Sequence, residues 1–378
     1  MRNTPHISIG IIAWNEEESI EATLDSLFRQ SLFSRLAEQC LSVEIICAAN
    51  GCTDRTVELA DAFFKKQQET HPFRHTFTTL TANLTTRGKT NAWNVFVHQL
   101  SDRQSFYLML MDADIVITSP DTLWNMYMTL QKNSEASVSV DQPIKDIAVK
   151  GHRDLFSHIS LTTSQMTQAS SVQLTGQLYC IRAEVARRIY LPRDLIIDDG
   201  FIKNLVCTDF LTVPSNPNRV VLAPEAAHIF EAYMSPSAVF RNQKRQMIGQ
   251  TILHVLVDKE LKGLAPQCAP DFATYLKERE QTEPDWLKIA IGEHIRSLTF
   301  FWQIFPDAIS FRFKRWLRLR PLARIKAFPA TCAGFLISLA ATWCAYRFLK
   351  NGYTSYWPDT RSQGLKTLTL NNNPNPAG

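Results

Sequence analysis

The sequence has no Cys-x-x-Cys pair and no Cys/His spacing that would build a zinc site. Its eight cysteines are scattered, and they read as reduced thiols of a cytosolic compartment. No secretory leader is expected: "HISIGIIAW" is a short apolar run, but "NEEE" follows where a cleavage region should stand. No G-x-x-x-x-G-K-[ST] loop and no internal repeat occur, which removes P-loop chemistry and solenoid folds. Charge of one sign is missing twice. Residues 312–326, "RFKRWLRLRPLARIK", hold seven Lys or Arg and no acid, and residues 327–346 hold no charge at all.

What is present is ordinary in bulk. A chain of 378 residues, 45% hydrophobic and 20% charged, is long enough for a substantial core and too apolar for general disorder. Apolar runs alternate with helix-period stretches through the first half. "HISIGIIAW", "SVEIICAA", "RHTFTTL" and "SFYLMLM" read as strands. Residues 16–30, 55–68 and 88–100 between them read as helices. That alternation predicts an α/β fold, a mostly parallel sheet with helices on both faces. Further on, short strands are expected around Gly176 and over "RVVLAPEA", with a helix over 239–256.

In such a sheet a ligand lies beyond the carboxyl ends of the strands. Polar residues collect there: Asn15 and Glu16 after the first strand, Asn50 and Asp54 after the second, Asp112 and Asp114 after the fourth. Two carboxylates one residue apart point to opposite faces of a strand, but in a turn both can approach one divalent ion. "TTRGKTNAWN" offers Gly88 at a helix start, with Arg87 and Lys89 for phosphate. "NGCTDRT" gives a tight turn in which Asp54 can cap the next helix. "LIIDDGFI" sets Asp198 and Asp199 among apolar residues, where a general base can have its pKa tuned. Taken singly, each has a bland reading as a cap or turn. Trp14 and Trp93 beside these motifs read as core packing, with stacking on a base or sugar as the alternative.

The ordered set "IIAWNEEESIEATLDSL", "IICAANGCTDRT", "RGKTNAWN", "LMLMDADIVI", "LTGQLYCIRAEV", "IIDDGFI" and "FRNQKRQMIGQ" resembles the family 2 glycosyltransferases with the GT-A fold, over residues 6 to about 256. The resemblance implies that Ala13, Asn15, Glu16, Asn50 and Asp54 contact the nucleotide. Asn50 stands where relatives often carry Asp. It implies that Arg87, Gly88, Lys89 and Asn94 border the diphosphate, and that Asp112 and Asp114 hold it through Mg²⁺ or Mn²⁺. Gly176 matches the glycine before the acceptor-side strand. Asp199 is implied as the base, with Asp198 second in line. "NQKRQ" keeps only Arg245 of a Gln-x-x-Arg-Trp motif, which argues against a processive polysaccharide synthase. His228 is a further candidate metal ligand, although a single His is more often structural.

The expected function is transfer of a sugar, with inversion, from a nucleotide diphosphate sugar (UDP-sugar preferred) to a hydroxyl on a lipid or lipid-linked glycan, as in cell-envelope glycan assembly. No nucleic-acid partner is expected. The alternatives are a catalytically silent nucleotide-sugar-binding scaffold and a nucleotidyltransferase. The latter would want a glycine-rich loop after the first strand, and "WNEEES" has no glycine. The expected organisation is a catalytic domain over 1–260, an amphipathic and basic helical region over 261–326, a membrane helix over 327–349 and a disordered tail over 350–378. The uncharged stretch of twenty residues would just cross a hydrocarbon core about 30 Å thick. Its basic flank puts the catalytic portion on the cytoplasmic face. Lying in the membrane plane and packing as a core helix are the other two readings.

Overall fold

The computed structural model describes residues 5–150, 172–232, 235–264 and 271–352. The expected tail beyond residue 352 lies outside the described residues. An eight-stranded sheet forms the centre, in the order β3-β2-β1-β4-β7-β6-β8-β5. Its strands are β1 (Ile7–Ala13), β2 (Val43–Asn50), β3 (Phe77–Leu84), β4 (Tyr107–Asp112), β5 (Ile115–Ile117), β6 (Val138–Lys145), β7 (Leu178–Arg182) and β8 (Val220–Phe230). The helices used below are α1 (Ile20–Phe28), α2 (Leu32–Glu38), α3 (Thr56–Thr70), α4 (Lys89–Val95), α5 (Thr122–Lys132), α6 (Asp198–Cys207), α7 (Pro236–His254), α8 (Phe272–Thr282), α9 (Trp286–Ser297), α10 (Phe311–Leu317) and α11 (Pro321–Lys350).

β1 pairs in parallel with β2 and β4, and β2 with β3, as the alternating pattern requires. The second half is mixed: β7 runs antiparallel to both β4 and β6, and β5 antiparallel to β8. The central strands of the sheet are buried on both faces. Leu108 and Leu110 of β4 join one core with Trp93 and Phe96, while Tyr107, Met109 and Met111 join the other with Ile9, Ile11 and Leu24. This is why β4 is continuously apolar. The first of these cores runs on without a break into α8, α9 and the last turns of α11, through Leu276, Trp286, Ile291, Ala345 and Leu349.

Register places the strand ends in one row. Ala13 stands opposite Ala49, and Ile12 opposite Asp112. Asn50 stands opposite Leu84, so the Arg87–Lys89 segment emerges beside it. Because β7 is antiparallel, with Leu178 opposite Met111, its start meets the end of β4. Gly176 and Gln177 are thereby brought next to Asp112, whose N–H donates to the Gln177 carbonyl at 2.9 Å.

Candidate active site

Lys89 is the hub. Its ammonium lies 2.7 Å from Asp112 and 3.9 Å from Asp198, and donates to the Gly176 carbonyl at 3.3 Å. Gly176 keeps this space open: a Cβ there would come within 3.3 Å of Asp198 Oδ2 and 3.4 Å of Lys89 Nζ. Burial works against the Lys89 charge, but Asp112 and Asp198 hold its pKa above the ordinary lysine value. One ammonium therefore joins the acids ending β4 to those beginning α6.

The carboxyls differ in their surroundings. Burial pushes Asp112 up to about 6; Lys89 opposes the shift and Asp114 adds to it. Burial also pushes Asp199 up to about 6, reinforced by neighbouring Asp198 and opposed by the Gly200 N–H that its Oδ1 accepts at 2.7 Å. A carboxyl in that range is ionised at neutral pH yet basic enough to take a proton. Glu16 is raised further, to about 8, by burial and then by Asp114, with Asp112 and Asp54 adding to the effect. This concentration of hard carboxylate oxygens suits a divalent cation, so the donor chemistry fits Mg²⁺ or Mn²⁺ at Asp112 and Asp114. Among the described residues, no three His, Cys, Asp or Glu side chains converge as a ready-made metal centre.

The loops after β1 and β2 are laced together. Asn15, at a φ of 55°, accepts from the Thr53 N–H at 2.8 Å and donates to Thr53 Oγ1 at 3.2 Å. The Glu16 N–H donates to Thr56 Oγ1. Asp54 accepts from the N–H groups of Glu17 and Thr56, at 3.1 and 3.0 Å. Arg87 lies over the Trp14 ring, 4.9 Å from its centroid. Gly51, at a φ of 62°, makes room for it, since a Cβ would meet Arg87 Cγ at 2.7 Å. Two buried polar atoms in this corner, Asn50 Oδ1 and Trp14 Nε1, have no protein partner.

Residues 8–185 match the family model described as glycosyl transferase family 2. The chain carries a family 2 glycosyltransferase domain. No curated protein sequence matches the chain significantly. Among solved structures, it is similar to S. aureus TarS 1-349, at 16% identity over 93% of each chain with a TM-score of 0.42. The same protein in complex with UDP-GlcNAc gives 14%, 93% of each chain and 0.43. Glucosyl-3-phosphoglycerate synthase from Mycobacterium tuberculosis, in complex with Mn²⁺, UDP and glucosyl-3-phosphoglycerate, gives 16%, 66% of this chain, 79% of that chain and 0.42.

Within the glycosyltransferase domain, Ala13, Asn15, Glu16, Asn50, Asp54, Arg87, Gly88, Lys89, Asp112 and Asp114 gather along one sheet edge. Asp198, Asp199 and Arg245 follow the matched segment in sequence. Arg245 lies on α7, and its charge bears on both Lys89 and Asp199. Asn94 is not brought to this group with a free amide: it donates to the Leu191 carbonyl and accepts from the Leu191 N–H, at 2.8 and 2.9 Å. His228 is fully buried. Its Nδ1 meets Asp141 Oδ2 at 2.7 Å and its Nε2 meets Gln177 Oε1 at 3.3 Å. Trp93 is core, with its indole donating to Tyr179 Oη at 2.7 Å. Sequence reasoning overlooked Tyr179. Burial raises its phenol well above the ordinary value, against the Trp93 hydrogen bond, and Asp198, Asp112 and Asp199 add to the rise. The motif "LTGQLYC" contains it, but nothing in the spelling marks the tyrosine.

Proposed function

We propose that this glycosyltransferase moves a sugar from a UDP-sugar to a hydroxyl on a lipid or lipid-linked glycan, at the cytoplasmic face of a membrane. The observation that carries this reading is Lys89 standing between Asp112 and Asp198. One ammonium within reach of both acids supports a reading in which Lys89 serves the diphosphate, Asp112 the metal side and the Asp198–Asp199 pair the acceptor side.

In this reading the laced loops carrying Ala13, Asn15, Glu16 and Asp54 shape the nucleotide pocket. Asn50 Oδ1 and Trp14 Nε1 supply an acceptor and a donor for the base. Arg87, Gly88 and Lys89 face the diphosphate. Asp112 and Asp114 would hold Mg²⁺ or Mn²⁺, which neutralises the charge developing on the leaving diphosphate. Asp199 accepts the proton of the incoming hydroxyl, and displacement from the side opposite the leaving group inverts the anomeric centre. Asp198, held by Lys89, orients the ammonium. Residues 1–260 act as the catalytic unit, 261–326 as a basic helical collar and the stretch from 327 as the membrane attachment. A catalytically silent scaffold would have no need to keep a half-buried Asp199 beside the buried Asp198. The test is calorimetric titration of UDP with and without Mn²⁺. Wild type should bind UDP in a metal-dependent way and Asp114→Asn should lose that metal-dependent binding while keeping its melting temperature; equal affinities in the two proteins would refute the assignment.

A further inference from the structure

Helix α11 is built inside out. The face it turns to the protein is small or polar: Ser338, Ala341, Thr342 and Ala345 are buried, with Leu349 closing the row. Arg312 fastens that face to α7, donating from Nε to Ser338 Oγ at 2.7 Å and from its terminal nitrogen to Gln243 Oε1 at 2.9 Å. Lys244 of α7 stands 4.8 Å from the Phe348 ring centroid. The opposite face carries the large apolar side chains. Ile325 is 73% exposed and Leu336 64%, and Phe328, Ile337 and Trp343 are exposed as well. A helix in water does the reverse, burying its large apolar residues. Small residues toward a helix neighbour and large ones outward is the arrangement of a helix that meets lipid.

The outward face continues beyond the helix. Phe301 meets the Trp343 ring at 5.1 Å, and the exposed Phe300 stacks on the exposed Trp302 at 4.6 Å. Charge of one sign accompanies it: the acid-free run over 312–326 begins on α10 and enters α11, with Arg318 and Arg320 exposed. An anionic lipid surface matches both features. A transmembrane orientation does not, because α11 would draw Lys244 and Arg312, fastened against it, into hydrocarbon.

We propose that α11 lies in the plane of an anionic lipid surface, its Ile325–Leu336–Trp343 face in the acyl boundary and its Ser338–Ala345 face under α7. α7 then separates lipid from active site. At 100° per residue, Gln243, which meets Arg312, lies about 200° around that helix from Arg245, whose charge reaches Asp199. The site opens roughly one helix diameter, about 10 Å, above the headgroups. Resting on the glycosyltransferase reading, the acceptor hydroxyl then belongs to a lipid headgroup or to the first sugar on it.

The experiment uses full-length protein with vesicles of phosphatidylcholine alone or with phosphatidylglycerol added. Cosedimentation with the anionic vesicles is expected, weakened by roughly tenfold or more in Leu336→Glu/Ile337→Glu, since two large apolar side chains leave the lipid. Brominated lipids should quench Trp343 from shallow rather than deep acyl positions. In membranes isolated from producing cells, tags placed before Met1 and after Gly378 should be digested from the same side. Tags on opposite sides would overturn the proposal in favour of a spanning helix. Unchanged vesicle binding by the double variant would overturn it, as would a dimer that covers this face and ignores vesicles. UDP titration with Mn²⁺ on the same samples should be unaffected by the double variant, so failure of docking and failure of the donor reading are told apart.

Discussion

Replacing Lys89 by Met removes the ammonium but keeps the length and most of the volume of the side chain. Lys89 and Asp112 are 2.7 Å apart with side chains only 18% and 21% exposed. At an effective dielectric of about 20, their attraction is about 6 kcal/mol before desolvation is counted. Removing one partner of a buried pair costs about 3–5 kcal/mol, and with a fifth of each side chain exposed we expect about 2–4 kcal/mol. For a chain of 378 residues that corresponds to a fall in melting temperature of roughly 3–5 °C. The sign with pH follows from Asp112. Its carboxyl is already raised to about 6 with Lys89 in place, and would rise further without it. A carboxyl whose folded pKa is raised stabilises the fold only while protonated, and that contribution is lost as pH rises through the folded value. The Lys89→Met deficit should therefore be full at pH 8 and should shrink as pH falls toward 5. Paired thermal melts of wild type and variant at both pH values are the assay. A deficit equal at pH 5 and pH 8, or no deficit at all, would refute the picture of Lys89 as the counter-ion of Asp112.

Two further outcomes are expected. If Asp199 is the base, kcat/KM should fall about tenfold per pH unit below about 6, where its carboxyl becomes protonated; a rate independent of pH down to 5 would count against it. Gly249→Ala on α7 should place a Cβ 2.4 Å from Ile197 Cγ1, one residue before Asp198. Such overpacking costs about 1–3 kcal/mol, and a displaced Asp199 should lower kcat more than UDP affinity. Equal loss in both would point to general unfolding.

β1, β2 and β4 were legible because each is buried on both faces and so is spelled as a nearly unbroken apolar run, and they lie within a residue or two of their expected positions. β3 begins at Phe77, later than expected, because Arg74–Thr76 form a short 3-10 turn first. The first helix starts at Ile20 rather than Glu16, because the backbone there bonds to Thr56 and Asp54 instead of continuing a helix. α2, β5, α5 and β6 were not anticipated. Two of these are very short, and β6, "VSVDQPIK", lacks a clean apolar pattern. Motif order indicated which polar residues share an edge. It could not indicate that Lys89 bridges Asp112 to Asp198, because that contact depends on β7 running antiparallel. Nor could composition tell which face of α11 packs: a stretch of Ala, Thr, Ser and large apolar residues acquires two distinct faces only when α7 is set against one of them.

In the proposed mechanism Asp199 is the residue that takes the acceptor's proton. The decisive measurement is UDP release from a UDP-sugar by Asp199→Asn in the presence of Mn²⁺ and a lipid extract containing the acceptor, with UDP affinity measured in parallel. We expect transfer to fall by about a hundredfold or more, with UDP affinity close to wild type. Transfer at the wild-type rate by Asp199→Asn, or its abolition by Asp198→Asn alone, would contradict the account.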